Sequence, residues 1–239
     1  FFHKLMRNEG LLGDAKTVGP EPFKALLTQG MVVSPSFYRH SAKGHEWFNI
    51  NQLDVIEKDG EKQYILKEDG LPVTFYGIQK MGKSKNNGVD PEAIVKEYGA
   101  DVSRLFMMFT SPPEQTLEWS AAGLEGADRF LRRVWNFAYE NNALLKDTTH
   151  NANNITDKAT KNARREIYQE LKKALYDYER FHFNTVISAN MIILNVLSKL
   201  GDSKDDAAVK QEGFSIMLRL LSPIVPHIVH TIWSDLFGD

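Results

Sequence analysis

Three lysines fall within the six residues Lys80-Met81-Gly82-Lys83-Ser84-Lys85, between Gly77 and Gly88. Ammonium groups concentrated on a mobile, glycine-bounded backbone suit a polyphosphate, whose charge they can follow as a bond breaks. A solvated surface turn is the plain alternative for any lysine-rich loop. Gly77–Ser84 also satisfies G-x-x-x-x-G-K-[ST], the P-loop of nucleoside triphosphatases. That chemistry needs a helix starting at Lys83-Ser84, with its N-terminus facing the phosphates. Here Asn86-Asn87-Gly88 and Pro91 delay helix onset to about Asp90. No apolar strand ends in a magnesium-binding Asp, because Leu105–Phe109 runs into Thr110-Ser111-Pro112-Pro113. The P-loop NTPase reading is therefore disfavoured, and a helix beginning at Lys83 is the feature that would restore it.

Other chemistry-bearing residues read as structural. His227 and His230 have the spacing of two zinc ligands on one helix face, but no Cys or third ligand is near. His3 and His182 sit among Phe residues, as packed or interfacial imidazoles do. Glu114 with Glu118 has the look of an acid–base pair without a reaction that needs one. Met107-Met108 between Phe106 and Phe109 reads as core packing.

The loop needs a scaffold on both sides. Phe2, Leu5 and Met6 give one turn of amphipathic helix, and Pro20-Glu21-Pro22 predicts a short helix through Leu26 and Leu27, stopped by Gly30. Met31-Val32-Val33 reads as a brief buried strand. From Phe37 to Tyr76 the sequence is strand-like and punctuated by Gly44, Asp59-Gly60 and Asp69-Gly70, which predicts a small antiparallel unit. Gly77–Asp90 reads as a loop. Asp90 caps a helix with Pro91 at its first position and Ile94, Val95 and Tyr98 on its apolar face. Asp101 is placed to cap the next, Val102–Phe109. Ser120 starts a third, with Leu124, Ala127, Leu131, Val134 and Ala138 on one face. Beyond a polar link at Asp147–Thr156, patterns through Leu171, Leu175 and Tyr178, over Val186–Leu200, over Ala207–Leu221 and over Ile224–Leu236 predict an antiparallel helix bundle.

The 239 residues suffice for one large domain or two small ones, and 42% hydrophobic with 25% charged residues excludes wholesale disorder. The net charge of −2 is not that of a strongly basic nucleic-acid protein, although residues 123–200 carry a mild basic excess. Without cysteine there is no disulfide, thiolate catalysis or Cys-ligated metal. No apolar run approaches a membrane span. Phe1-Phe2-His3-Lys4-Leu5 has neither an initiator Met nor a signal-peptide layout, so a piece of a larger protein is expected.

Lys80-Met81-Gly82-Lys83-Ser84 resembles the KMSKS signature of class I aminoacyl-tRNA synthetases, with Gly in the third position. Lys85-Asn86-Asn87-Gly88-Val89-Asp90-Pro91 resembles the continuation found in bacterial-type leucyl-tRNA synthetases, where valyl and isoleucyl relatives usually read Leu-Gly-Asn. Further segments resemble that family in the same order: Phe2–Met6, Gln29–Val32, Tyr98–Asp101 with Arg104–Phe109, Pro112-Pro113-Glu114 with Leu117–Ser120, and Glu125–Ala127 with Arg129–Leu131 and Trp135.

The resemblance implies an α+β, mostly α fold. Residues 1–39 would end a Rossmann-type catalytic domain, 40–76 form a leucyl-specific β insertion, 77–119 hold the signature loop and following helices, and 120–239 form an anticodon-binding-type bundle. It implies ATP with Mg2+, leucine and tRNA(Leu) as reactants, a cytoplasmic monomer, and no membrane or DNA partner. Lys83 and then Lys80 are the implied catalytic and ATP-phosphate ligands, with Ser84, Met81 and Gly82 completing the ATP-binding loop. Arg129, Arg132, Arg133, Lys172 and Lys173 are candidate tRNA-phosphate contacts, their alternative being a solvated face paired with Glu125, Asp128 and Glu170. The family's HIGH motif and editing domain are not recognisable, so this piece alone is expected to be inactive. A non-catalytic helical RNA-binding module is the remaining alternative.

Overall fold

The computed structural model describes residues 1–13, 19, 21–42, 44–58, 60–146 and 151–238. Helix α1 (Phe2–Asn8) opens the chain with Phe2, Leu5 and Met6 exposed. The helix expected through Leu26 and Leu27 does not form, and residues 21–31 contain neither helix nor strand; Pro20, its expected start, lies outside the described residues. So short a helix is stabilised mainly by burying a face. Phe23, Leu26 and Leu27 are instead 65%, 74% and 52% exposed.

Strand β1 (Val32–Ser41) and β2 (Gly44–Phe48) form a hairpin, β3 (Leu53–Lys58) and β4 (Glu61–Leu66) a second, and β5 (Pro72–Lys80) joins them in the order β2-β1-β5-β4-β3. These pairings are antiparallel, as expected. β6 (Leu117–Glu118) adds a short parallel contact to Val32-Val33. The strand expected at Met31 thus begins at Val32, and Met31 is half-exposed rather than buried. Asp69-Gly70 makes the β4–β5 turn, with Gly70 at φ 69°, while Asp59 of the other expected turn lies outside the described residues.

Period-two alternation places Phe37, Phe48, Leu53, Leu66 and Val73 in a small core on one sheet face. Arg39 on that face is tied to the turn, its Nη1 donating to Asp69 Oδ2 at 2.6 Å. β1 and β5 run without a break through the positions 39/40 and 76/77.

The helical part follows: α2 (Pro91–Tyr98), α3 (Ala100–Thr110), α4 (Ala121–Glu140), α5 (Asn142–Lys146), α6 (Lys158–Tyr178), α7 (Phe183–Leu197), α8 (Lys204–Leu221) and α9 (Pro226–Phe237). Asp90, Ser120, Asp157 and Ser203 cap α2, α4, α6 and α8 through side-chain oxygens. One core unites Leu105 and Phe106 of α3 with Leu131, Ile193, Phe214 and Leu221, so α3 packs with the bundle. Residues 147–150 of the expected polar link lie outside the described residues.

Three expectations are corrected here. Asp101 does not cap its own helix. Its nearly buried carboxylate accepts from Ile228 N at 2.7 Å and contacts His227 Nδ1 at 2.8 Å, so it caps the start of α9 instead. Arg104, one turn on, donates to the carbonyls of Ile224 and Pro223, and α3 thereby clamps the α8–α9 turn from two positions. Leu175 is 54% exposed, because Ile167, Glu170 and Ala174 form the buried stripe of α6. Met107 and Phe109 are also exposed, since α3 turns only one face to the bundle.

Arg164 of α6 holds Glu212 of α8 with two hydrogen bonds of 2.7 and 2.8 Å, and Tyr168 donates a third. Burial pushes the Glu212 carboxyl up, but these hydrogen bonds outweigh it and leave it below its ordinary value. A depressed carboxylate contributes stability that is complete above the ordinary value near 4.5 and disappears as pH falls through the folded-state value. Thermal melts of the parent chain and Glu212→Gln are expected to differ at pH 7, by a gap that holds down to the ordinary value and shrinks as pH falls below it. A gap that stays constant below that value contradicts the assignment.

Candidate functional site

β5 carries the lysine loop out of the sheet. Its strand character persists to Lys80, which lies opposite Val33, so the expected loop at Gly77 begins at Met81. Gly77 has a different task. Ser36 lies opposite Gly77 but Phe37 opposite Phe75, making Tyr76 an extra residue in a β-bulge with Gly77 at φ 106°. Met81 N then donates to Val32 O at 3.0 Å, and Lys83–Lys85 form a single 3-10 turn. Asn86 in the left-handed region ends that turn, and the next helix begins at Pro91. A three-residue turn after an antiparallel strand presents no helix N-terminus to a triphosphate, which removes the P-loop alternative.

The second half of the loop is fastened rather than mobile. Buried Asn87 accepts from Gly82 N at 2.9 Å and donates to Ser36 Oγ at 2.9 Å, with longer bonds to the carbonyls of Gln79 and Lys80. Asn49, between β2 and β3, donates to the carbonyls of Asn86 and Gly88 at 3.0 and 2.9 Å. Lys85 Nζ donates to Gln79 Oε1 at 2.7 Å and lies 5.0 Å from the Tyr76 ring centre and 5.6 Å from that of Trp47. Three of the loop's neighbours thus immobilise Lys85 on the sheet. Lys80, Lys83 and Ser84 remain exposed, and neither the Lys80 nor the Lys83 ammonium has a hydrogen-bond or ion-pair partner among the described residues. The structure therefore separates the three lysines into one tethered cation and two open ones.

Sequence reading missed the clasp. Asn86-Asn87 stood out only as a family continuation, and no residue of 40–76 was assigned a task. The bonds from Asn49 and Ser36 span 37 to 51 positions, beyond the reach of local pattern.

Gly82 adopts extended backbone at φ −172°, open to any residue, and a Cβ there would meet only Ser84 Oγ at 3.9 Å. Gly82→Ser is expected to leave the loop's activity unchanged or slightly raised, as measured by leucine-dependent ATP–pyrophosphate exchange in the full-length protein carrying this chain. A drop of more than about five-fold contradicts this steric reading.

The five bundle cations do not converge. Arg129 and Arg132 of α4 lie 3.7 Å from Glu125 and 2.7 Å from Asp128, and Arg133 donates to Asn195 of α7 at 2.6 Å. Lys173 of α6 contacts Glu170 at 2.5 Å, and together with Lys172 it borders a groove facing α7. The exposed Arg129–Glu125 pair contributes roughly 0–1 kcal/mol and releases its cation to a phosphate at little cost, whereas the Glu170 partner of Lys173 is buried.

Comparison with known proteins bears on both halves. Residues 68–120 match the family described as tRNA synthetases class I (I, L, M and V), and residues 160–239 match the anticodon-binding domain of tRNA ligase. The chain is 49% identical over 240 residues to a leucine–tRNA ligase of Cupriavidus metallidurans, covering 99% of this chain. Residues 68–120 thus carry the class I tRNA synthetase pattern. A leucine–tRNA ligase of Pseudomonas aeruginosa is 48% identical over 242 residues. The chain spans about a quarter of these relatives, 26% and 27% of their lengths. In fold it resembles the Agrobacterium radiobacter K84 LeuRS, solved as a ternary complex with tRNA and LeuAMS. The TM-score is 0.68 at 22% identity, over 100% of this chain and 25% of that one. A Mycobacterium tuberculosis methionyl-tRNA synthetase solved with methionyl-adenylate gives a TM-score of 0.51 at 19% identity, over 64% and 35%. No described helix is long and apolar enough to cross a membrane.

Proposed function

We propose that this chain is the loop-and-bundle part of a leucine–tRNA ligase. The whole enzyme joins leucine to ATP as leucyl-adenylate and passes the leucyl group to tRNA(Leu). The supporting observation is the near-complete coverage of the chain by leucine–tRNA ligases at 48–49% identity. A loop that leaves two lysines open at the end of a strand supports the same reading.

In activation the leucine carboxylate oxygen attacks the α-phosphate, and the bond to the β-phosphate breaks. Pyrophosphate leaves with the electron pair. Lys83 and Lys80 bind the charge that grows on the departing β- and γ-phosphates, and Ser84 adds a hydroxyl donor. The clasp made by Asn49, Asn87 and Lys85 sets the loop's position, so its cations need little reorganisation as charge develops. Magnesium enters with the nucleotide; among the described residues no cluster of three or more His, Asp or Glu is placed to hold an ion. Arg129, Arg132, Arg133, Lys172 and Lys173 contact phosphates of the tRNA body, contributing affinity that weakens with salt.

The test is amino-acid-dependent ATP–pyrophosphate exchange by the full-length protein carrying this chain, with leucine, isoleucine, methionine and valine in turn. Leucine is expected to support exchange far better than the others. Exchange driven best by another member of that set assigns the chain to a different class I enzyme.

A further inference from the structure

A histidine pair that leucine activation does not use lies at the turn end of the first hairpin. His40 of β1 is directly opposite His45 of β2, next to the Ser41–Gly44 pair that ends the ladder. Residues facing each other across antiparallel strands have their Cβ atoms about 4.5–5.5 Å apart, close enough for two imidazoles to reach one point. The ring centroids are 4.9 Å apart and the planes cross at 67°, so edges rather than faces can be turned toward that point.

Both imidazoles are exposed, and neither has a hydrogen-bond or ion-pair partner among the described residues. His3 and His227 differ, since each places a ring nitrogen on a partner, Gly19 O and the Asp101 carboxylate. Tyr38, on the same face, packs against both rings of the pair, 5.2 Å from His40 and 4.4 Å from His45. That contact restricts their rotation and keeps them on one side of the hairpin. Alternation along the strands sends Arg39 to the reverse face, so its cation does not stand beside the pair.

Neutral imidazole is the commonest protein ligand of metals and binds zinc at about 2.0–2.1 Å. With such bonds each ring centroid lies roughly 3 Å from the ion. Two centroids 4.9 Å apart then subtend roughly 100–110° at the metal, which is tetrahedral geometry.

We propose that His40 and His45 form a two-point chelate for a late divalent transition-metal ion such as zinc, with water completing the coordination. Two protein ligands leave positions open, unlike a structural zinc site closed by four. The ion bridges β1 and β2 near their turn, so its binding stabilises the hairpin by mass action. This chelate is independent of the ligase reading.

The experiment titrates the metal-free chain with zinc chloride by isothermal calorimetry. One ion is expected to bind per chain, and His40→Gln and His45→Gln are each expected to weaken binding by more than roughly ten-fold. His230→Gln is expected to bind zinc as the parent chain does. Zinc is also expected to raise the parent's melting temperature, an increase missing from both hairpin variants. In the unsubstituted chain, zinc is expected to shield His40 and His45, but not His230, from carbethoxylation by diethyl pyrocarbonate, read by peptide mapping. Absence of zinc binding to the parent chain, binding that survives both hairpin substitutions, or no shielding of the pair overturns the chelate.

Discussion

Replacing Lys83 by Ala is expected to lower leucine-dependent ATP–pyrophosphate exchange by well over ten-fold in the full-length protein. The side chain is exposed and has no partner among the described residues, so its removal breaks no folded-state contact. Its effect has to come from what it binds. A charge-assisted hydrogen bond is worth about 1.5–3 kcal/mol, which corresponds to roughly 10- to 150-fold in rate if it forms mainly in the transition state. Most of the loss should then appear in kcat, with a smaller change in the KM for ATP. Stopped single-turnover exchange with the variant separates the two. Normal kcat in Lys83→Ala would move the role to Lys80 or out of the loop altogether.

Replacing Gly30 by Ala is expected to have the largest effect on stability. Gly30 N donates to Pro113 O at 2.8 Å, and the neighbouring backbone continues the contact through Leu117 N to Met31 O and Trp119 N to Val33 O. A Cβ on Gly30 would lie 1.9 Å from Gln115 O and 2.2 Å from its carbonyl carbon. Both atoms are backbone, so no side chain can turn away to make room. Parting the two segments sacrifices a hydrogen bond and strains the packing, together about 2–4 kcal/mol. For a chain of this size that lowers the melting temperature by roughly 4 to 16 °C. Because β1 lies between this contact and β5, exchange activity should fall as well. Gly126→Ala is the natural control: its Cβ meets only Arg129 Nη2 at 3.8 Å on helix α4, where alanine is favoured over glycine. Gly30→Ala melting with the parent chain contradicts the close approach.

The bundle was legible because its signals are local. Asp90, Ser120 and the spacing from Leu124 to Ala138 each specify their element within a few residues, and the structure places them accordingly. The Asp69-Gly70 turn was legible for the same reason. Pro22–Leu27 misled because propensity predicts a helix even where no surface covers its apolar side. Asp101 misled because a capping residue looks alike whether it serves its own helix or one 126 positions away. At the site, the lysines were visible from spacing alone, but their division into open and tethered cations depends on Trp47, Tyr76 and Gln79 meeting across strands. The bulge at Tyr76 is a pairing event between two strands, and Gly77 gave only a hint of it.

That division offers the most direct test of the central claim. An ATP analogue with an amine-reactive aldehyde on its terminal phosphate, trapped by borohydride in the full-length protein, reports which lysines lie beside the triphosphate. Peptide mapping is expected to find the label on Lys83 and Lys80, suppressed by ATP, with Lys85 unlabelled. Label on Lys85 in preference to both, or only outside the loop, would contradict the account.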